Sequence, residues 1–497
     1  MASQDETARG HRGPGVRGAH ARRAARQVRR YYALTAASTI VPGLGLIPTR
    51  RRVGQGLVAV FVVAFVVLVG YLVARGLMGL IRVVVSRSAL SVVISVLVVV
   101  AVVWIGAILL TARDNMPEGA HGRPKVAMVV FAALAAVLVL APAAQAVRYA
   151  VIQHSLIGSV FDTLRPDGAV GPGGGQDPWA GTDRVNMLLL GSDAGKGRIG
   201  TRPDAIMVAS IDPQSGETVL FGIPRNLQDI PFSQDNPLSQ LYPQGYDCGD
   251  QCLMEFVWTL GKDHADLFPD DPNPGLTVTK DAVSQILGLD VDYTTVVNLE
   301  GFTQLVDAMG GVEVDVQERV CIGCKLDAYG NVVGTTGWIE PGVQQLDGFH
   351  ALWYSRSRAA SRDGDFSRMR RQRCMVGALL NQVNPTSMLV RYPALASTLE
   401  DNVRVDVPEQ DLDEWAELVL RIQHGGSIKS LPLTNDVIDV VNPDYPKIHQ
   451  MVTDAITPPE STPQPSTSTP TTSPSTTPTP STSETTQDTP SDIATTC

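Results

Sequence analysis

Two aspartates, Asp193 and Asp204, bracket a glycine-rich loop in RVNMLLLGSDAGKGRIGTRPDAIMVAS, residues 184–210, and Arg202 stands beside the second. Farther along, IPRN carries Arg225, and WYSRSRAASRDGDFSRMRRQRC carries Arg356, Arg358, Asp365, Arg368, Arg371 and Gln372. These residue types point to an anion. Arginine grips phosphate through two parallel hydrogen bonds. Arg225, Arg356, Arg358, Arg368 and Arg371 brought together would repel one another unless a polyanion lay between them. Asp193 and Asp204 suit a hard cation, Mg²⁺ or Mn²⁺ in its place, which takes a few carboxylates, waters and phosphate oxygens. Carboxylate, metal, phosphate and arginine together describe phosphoryl transfer, where positioning and charge neutralisation do most of the work.

The plainer reading is ordinary ion pairing between these arginines and the many acids. It fits less well, because the charges sit at the ends of apolar strands and not along solvated faces. Two other chemistries fail. GSDAGKG has one residue too few before Gly-Lys for a nucleotide-binding loop, and Gly197 stands where Ser or Thr is needed. Ser192 lacks the G-x-S-x-G elbow of a triad hydrolase, and His264 and His350 form no H-E-x-x-H pattern.

The elements around these residues are short and alternate in type. VNMLLLG, AIMVASID and TVLFGIP read as buried strands, the last two joined by the turn DPQSGE. TKDAVSQILGL and GFTQLVDAMGG have helical spacing and glycine stops, and YTTVVNL and VEVDV read as strands. If WYSRSR is extended, Arg356 and Arg358 share a face. A helix over DFSRMRRQRCMVGALL puts Arg368, Arg371 and Gln372 on one side. The fold class is α/β, a sandwich with a central mixed sheet, and it places Asp193 and Asp204 at the carboxyl ends of two strands.

The net charge of −10 hides a split: up to Arg148 there are 18 Lys and Arg against 4 Asp and Glu, leaving −24 for the remainder. An acidic domain is a poor nucleic-acid binder, since that binding rests on cationic neutralisation of phosphates. Three apolar stretches, 57–74, 89–112 and 126–147, are long enough to cross a bilayer. The piece 33–47, broken by Pro42, Gly43 and Gly45, reads as interfacial or re-entrant. The arginines from Arg22 to Arg52 favour a cytoplasmic N-terminus, although Arg75, Arg82 and Arg87 pull the other way. Three crossings then put the folded region outside, in a multi-pass protein of the cell membrane.

The expected organisation is a basic cytoplasmic segment at 1–52, three transmembrane helices in 53–148 and a flexible linker at 149–182. The catalytic domain follows at 183–385, with its C-terminal completion at 386–456 and a disordered Ser/Thr/Pro tail at 457–497. All six cysteines lie in the part placed outside, where disulfides persist. Cys248 and Cys252, and Cys321 and Cys324, are disulfide candidates. A zinc site of all four is the alternative, and Cys374 competes for Cys321 or Cys324.

The series LLLGSD, RPDAIMV, FGIPRN, VVNLEGFTQLVDAMGGVEV, LDGFHALWYSRSR and DGDFSRMRRQ resembles the LytR-CpsA-Psr family over roughly residues 185–380. The resemblance implies a membrane-anchored enzyme that moves a glycopolymer from a polyprenyl-diphosphate carrier to peptidoglycan through a phosphodiester. It also implies an αβα sandwich with a long apolar tunnel for the prenyl chain. On it, Asp193 and Asp204 hold the metal, and Asp193, Arg225, Arg356 and Arg358 are catalytic. Arg202, Arg225, Arg356, Arg358, Arg368, Arg371 and Gln372 bind the diphosphate, and Asp365 supports them. The chain departs from the family pattern at Pro203 and Ala205, where hydroxyls are common, at Asn226 for Asp, at Arg373 for Gln, and in having three spans. Two other functions suit the same residues: hydrolysis of the lipid-diphosphate glycan, and polyprenyl-phosphate binding without catalysis.

Overall fold

The structure, a computed structural model, describes residues 14–118, 121–161, 179, 181–192, 202–327, 329, 331–359, 361, 364–382, 385–457 and 491–492. The chain divides into two compact units, Met1–His154 and Ser155–Cys497.

The first unit is helical: α1 (Pro14–Ile40), α2 (Arg51–Val85), α3 (Arg87–Asp114) and the greater part of α4 (Arg123–Val160). Three segments, Arg51–Gly76, Arg87–Asp114 and Arg123–Val160, are long and apolar enough to cross a membrane, and each contains one of the expected stretches. The first stops at Gly76, whose φ of 59° and ψ of −152° are open to glycine because it lacks a Cβ. The broken piece 33–47 is a helix end and a tight turn tied to α3. Ser38 Oγ lies 2.9 Å from Thr111 Oγ1, and Trp104 Nε1 donates to the Ser38 carbonyl at 3.0 Å. A Cβ at Gly45 would meet the Leu34 carbonyl oxygen at 2.2 Å, so only glycine permits this approach.

The second unit begins with β1 (Val185–Ser192), β2 (Pro203–Ile211), β3 (Thr218–Ile223), α5 (Leu238–Leu241), α6 (Val257–Asp263), α7 (Pro274–Leu287), β4 (Tyr293–Asn298) and α8 (Leu299–Met309). Short strands follow: β5 (Val312–Val316), β6 (Val320–Ile322), β7 (Lys325–Leu326), β8 (Val332–Val333), β9 (Gly337–Ile339) and β10 (Gly342–Leu346). It ends with α9 (Gly348–Arg356), α10 (Asp365–Gln382), α11 (Pro385–Asn402), β11 (Val403–Val405), α12 (Leu412–Gly425), β12 (Ile428–Pro432), α13 (Tyr445–Ile456) and β13 (Ser491–Asp492).

The central sheet has the order β11-β4-β1-β2-β3-β12-β13. It is mixed, as expected: β1 runs parallel to β4 and β3 to β12, while the other pairs are antiparallel. Successive side chains of a strand point to opposite faces, and both faces here are apolar. Leu188, Leu190, Val208 and Phe221 pack with Trp258, Ile286 and Ile448 from α6, α7 and α13. Leu189, Met207 and Val297 turn to the other side, toward α8, α9 and α10. Helices α7 and α8 end at Gly288 (φ 66°) and Gly310 (φ 95°), the left-handed caps their sequences signal.

The structure overturns the extended reading of WYSRSR and adds detail to three other segments. The strand VEVDV, β5, pairs with β10 outside the central sheet. Trp353 to Arg356 of WYSRSR are not extended but close α9, which Asp347 caps by accepting from the His350 amide. The linker contributes to the core: Trp179 is buried, with its ring centroid 6.2 Å from Tyr293 and 5.4 Å from Trp415. Ser491 and Asp492, in the tail, pair with Ser430 and Lys429 at the sheet edge.

Candidate active site

The site lies where β1 ends and β2 begins. The two strands form an antiparallel pair with Gly191 opposite Ala205. Asp204 therefore stands at the start of β2, and not at a carboxyl end. Asp193 lies outside the described residues. Arg225 follows β3 by two residues, and Asp365 and Arg368 face the same place from the first turn of α10.

Arg225 is the hub. Its Nη1 donates to Asp204 Oδ1 at 2.8 Å and to Glu255 Oε2 at 2.9 Å. Its Nε faces Asp365 Oδ1 at 3.5 Å, an ionic contact without a hydrogen bond. Arg368, 2% exposed, donates from Nη2 to Asp365 Oδ2 at 2.9 Å and lies 3.9 Å from Asp204. Arg358, half exposed, approaches Asp365 at 3.7 Å. The repulsion expected among bare arginines is thus offset: Asp204, Glu255 and Asp365 stand between Arg225, Arg358 and Arg368. Burial pulls the Arg368 pKa down to about 10 against the opposing carboxylates, so it stays charged at neutral pH.

Other expected residues lie at different distances from this cluster. The Arg202 guanidinium sits 4.8 Å from the Phe256 ring centre, and that of Arg356 5.6 Å from the Trp353 ring centre. Arg371 makes several protein contacts. Its Nε donates to the Tyr354 carbonyl at 2.7 Å, its Nη1 to Glu318 at 2.7 Å and its Nη2 to the Ser357 carbonyl. It ties α10 to the end of α9, with each of its three nitrogens already engaged in a protein contact. Arg373 is buried beside Gln372, Nη1 lacks a hydrogen-bond partner, and burial with the charge of Arg370 lowers its pKa to about 10. Glu255 was missed in the sequence. Its one signal is that it closely follows the Cys248–Cys252 pair.

Beside the charged cluster lies an apolar cavity of about 250 Å³. Leu189, Met207 and Val297 of the sheet form one wall, and Phe302, Leu352 and Met375 of α8, α9 and α10 form another. Arg356 and Gln372 also line it. One pocket thus joins a greasy interior to a polar end, which is the shape an amphiphile with an anionic head requires.

For a hard divalent cation, carboxylate oxygens are the fitting donors. Asp204 supplies one carboxylate in the charged cluster, and the other expected ligand is Asp193. Among the described residues no three His, Cys, Asp or Glu side chains are grouped to hold a metal. The structure joins Cys248 to Cys252 and Cys321 to Cys324, and Cys374 is disulfide-bonded as well. This uses the thiols that a four-cysteine zinc site would need.

The model of the LytR_cpsA_psr family matches residues 175–457, more than half of the chain. The chain belongs to this family. A relative from Enterococcus faecalis, named polyisoprenyl-teichoic acid–peptidoglycan teichoic acid transferase TagU, is 26% identical over 234 residues, 46% of this chain and 64% of its own. Its namesake from Oceanobacillus iheyensis is 29% identical over 238 residues, 48% of this chain and 62% of its own. The chain thus spans less than two thirds of the length of either relative. The crystal structure of Bacillus subtilis TagV is 20% identical, with a TM-score of 0.38 over 55% of this chain and 96% of that one. The family match covers the sheet strands from β1 to β12, the arginine–carboxylate cluster and the apolar cavity together.

Proposed function

We propose that the chain is a membrane-anchored phosphotransferase that moves a glycopolymer from a polyprenyl-diphosphate carrier to peptidoglycan. The observation that carries this reading is the apolar cavity opening beside clustered arginines, with Arg356 and Gln372 lining it. The names of the relatives support the class of reaction.

In this reading the prenyl chain enters the cavity and the diphosphate meets Arg202, Arg225, Arg356, Arg358 and Arg368. An acceptor hydroxyl oxygen attacks the phosphorus attached to the glycan. The new oxygen–phosphorus bond forms as the bond to the bridging oxygen breaks, polyprenyl phosphate leaves, and the hydroxyl proton passes to solvent. Arg225 and Arg358 neutralise the charge that grows on the bridging oxygen, an interaction tighter in the transition state than in the ground state. Asp204, with Asp193, would hold Mg²⁺ or Mn²⁺, which supplies further charge neutralisation at the phosphate oxygens. Glycopolymer and peptidoglycan are the partners, and the three apolar helices supply the anchor.

The test uses the full chain in detergent, with a lipid-diphosphate glycan, with and without peptidoglycan. Release of polyprenyl phosphate only with the acceptor supports transfer. Release without it makes the protein a hydrolase, and binding without release makes it a carrier. A reporter fused after Gly181 tests the topology: activity inside the cell would overturn the outward placement of the domain.

A further inference from the structure

Asp204 is under two demands. In the structure its Oδ1 accepts from Arg225 Nη1, and in the proposed reaction it is also a metal ligand. An arginine held only by Asp204 would lose its support when that carboxylate turned to another partner. The structure provides a second support on the same nitrogen. Glu255 Oε2 lies 2.9 Å from Arg225 Nη1, and Glu255 is not one of the residues the family motifs carry.

Glu255 is also placed by its own backbone. The Glu255 amide donates to the Arg225 carbonyl at 2.9 Å, and the Met254 amide donates to the Leu227 carbonyl at 2.9 Å. The two main-chain segments therefore pair, and their side chains pair above them. The segment is anchored on its N-terminal side by the Cys248–Cys252 disulfide and by the buried side chains of Cys252 and Met254. The next residue, Phe256, lies against the Arg202 guanidinium. A short strap outside the family's polar motifs thus touches two arginines from either side of the catalytic strand ends.

We infer that Glu255 is a positioning residue: it holds Arg225 in place through the reaction, while Asp204 is free to change partners. This rests on the transferase reading. Two opposite effects follow from removing its charge. The resting site loses a negative charge that competes with an incoming anion, so anion binding strengthens. Arg225 loses its fixed orientation, so turnover falls, because misplacing a group by about 1 Å costs up to roughly a hundredfold in rate.

The experiment compares the full-length wild type with E255Q, E255D and R225A. Binding of inorganic pyrophosphate without added metal is measured by calorimetry, and transfer kinetics are measured on the folded fraction. E255Q should bind pyrophosphate about threefold more tightly or better, because one opposing charge is gone. Its kcat should fall about tenfold with no rise in KM, by loss of orientation. E255D, which keeps the charge on a shorter arm, should recover wild-type pyrophosphate affinity and part of the kcat. On the R225A background, E255Q should leave kcat unchanged and give a smaller gain in pyrophosphate affinity, because the opposing charge is still removed but no competition for Arg225 remains. Unaltered kcat in folded E255Q, or weaker pyrophosphate binding, overturns the inference. If the wild type transfers nothing, the transferase reading fails, and the pyrophosphate comparison still decides the link between Glu255 and Arg225.

Discussion

Replacing Arg225 with alanine should destabilise the unliganded protein as well as inactivate it. Three carboxylates face this guanidinium: Asp204 at 2.8 Å, Glu255 at 2.9 Å and Asp365 at 3.5 Å, with side chains 21%, 14% and 20% exposed. Removing the cation leaves Glu255 without its ion-pair partner, and leaves Asp204 and Asp365 to lean on Arg368. Breaking a fully buried pair from one side costs about 3–5 kcal/mol, mostly the penalty of an unpaired buried charge. These carboxylates keep some contact with water, so about 2–3 kcal/mol is the expected loss. At roughly 2–4 °C per kcal/mol for a large domain, the thermal midpoint should fall by about 4–12 °C. Arg358→Ala provides the contrast. Arg358 is 48% exposed and 3.7 Å from Asp365, so its loss should move the midpoint by no more than about 1–2 °C. Both variants should lose about a hundredfold in transfer rate, the usual effect of removing one transition-state donor. The assay is a thermal melt of purified full-length protein without ligand, run beside transfer kinetics. A midpoint for Arg225→Ala at or above wild type would refute the claim that the resting cluster is neutralised from within. It would restore the picture of arginines that repel one another until a polyanion arrives.

Three further outcomes are expected. Arg373→Met should raise the thermal midpoint, because burial pulls this guanidinium's pKa down to about 10, at a cost of about 3 kcal/mol. That cost is full below pH 10 and fades as pH rises above it, so a lower midpoint for the variant at pH 7 would count against it. Trp179→Ala should lower the midpoint by an amount corresponding to about 3 kcal/mol, by removing a buried ring that packs on both Tyr293 and Trp415; no change would return residue 179 to the linker. Burial, helped by Asp413, raises the Glu414 pKa from 4.5 to about 7. The folded state then holds this proton more tightly than the unfolded chain, so the stabilisation is complete below pH 4.5 and is lost as pH rises through 7. Glu414→Gln should flatten that part of the stability profile, and an unchanged slope would exclude Glu414 as its source.

The elements whose order is local were legible in the sequence. β1 to β4 appear as short apolar runs, and α7 and α8 are bounded by glycines that the backbone uses in the left-handed region. The membrane helices follow from length and hydropathy. The features that depend on distant contacts were not legible. Glu255 is one of 50 acidic residues, and it gains its role only because its segment pairs with the backbone of Arg225. Trp179 sits among glycines, where composition argues for a linker, and its partners are more than a hundred residues away. Arg371 has the same spacing on α10 as a site residue, but the end of α9 reaches its guanidinium first. The two carbonyls it binds face it because Trp353 to Arg356 turned out helical, against the extended reading.

The size of the cavity has a consequence for the length of lipid that the proposed reaction can distinguish. A cavity of about 150 Å³ accommodates one benzene, six carbons. By that measure the 250 Å³ beside Arg356 takes about ten carbons, two isoprene units. If the prenyl chain enters here as proposed, a longer chain would extend beyond these walls, and the residues lining them would contact only the units nearest the phosphate. Chain length is then invisible to this pocket past the second unit. A geranyl diphosphate carrier offers it the same apolar contact as a carrier several times longer, and any preference for the long lipid must originate elsewhere.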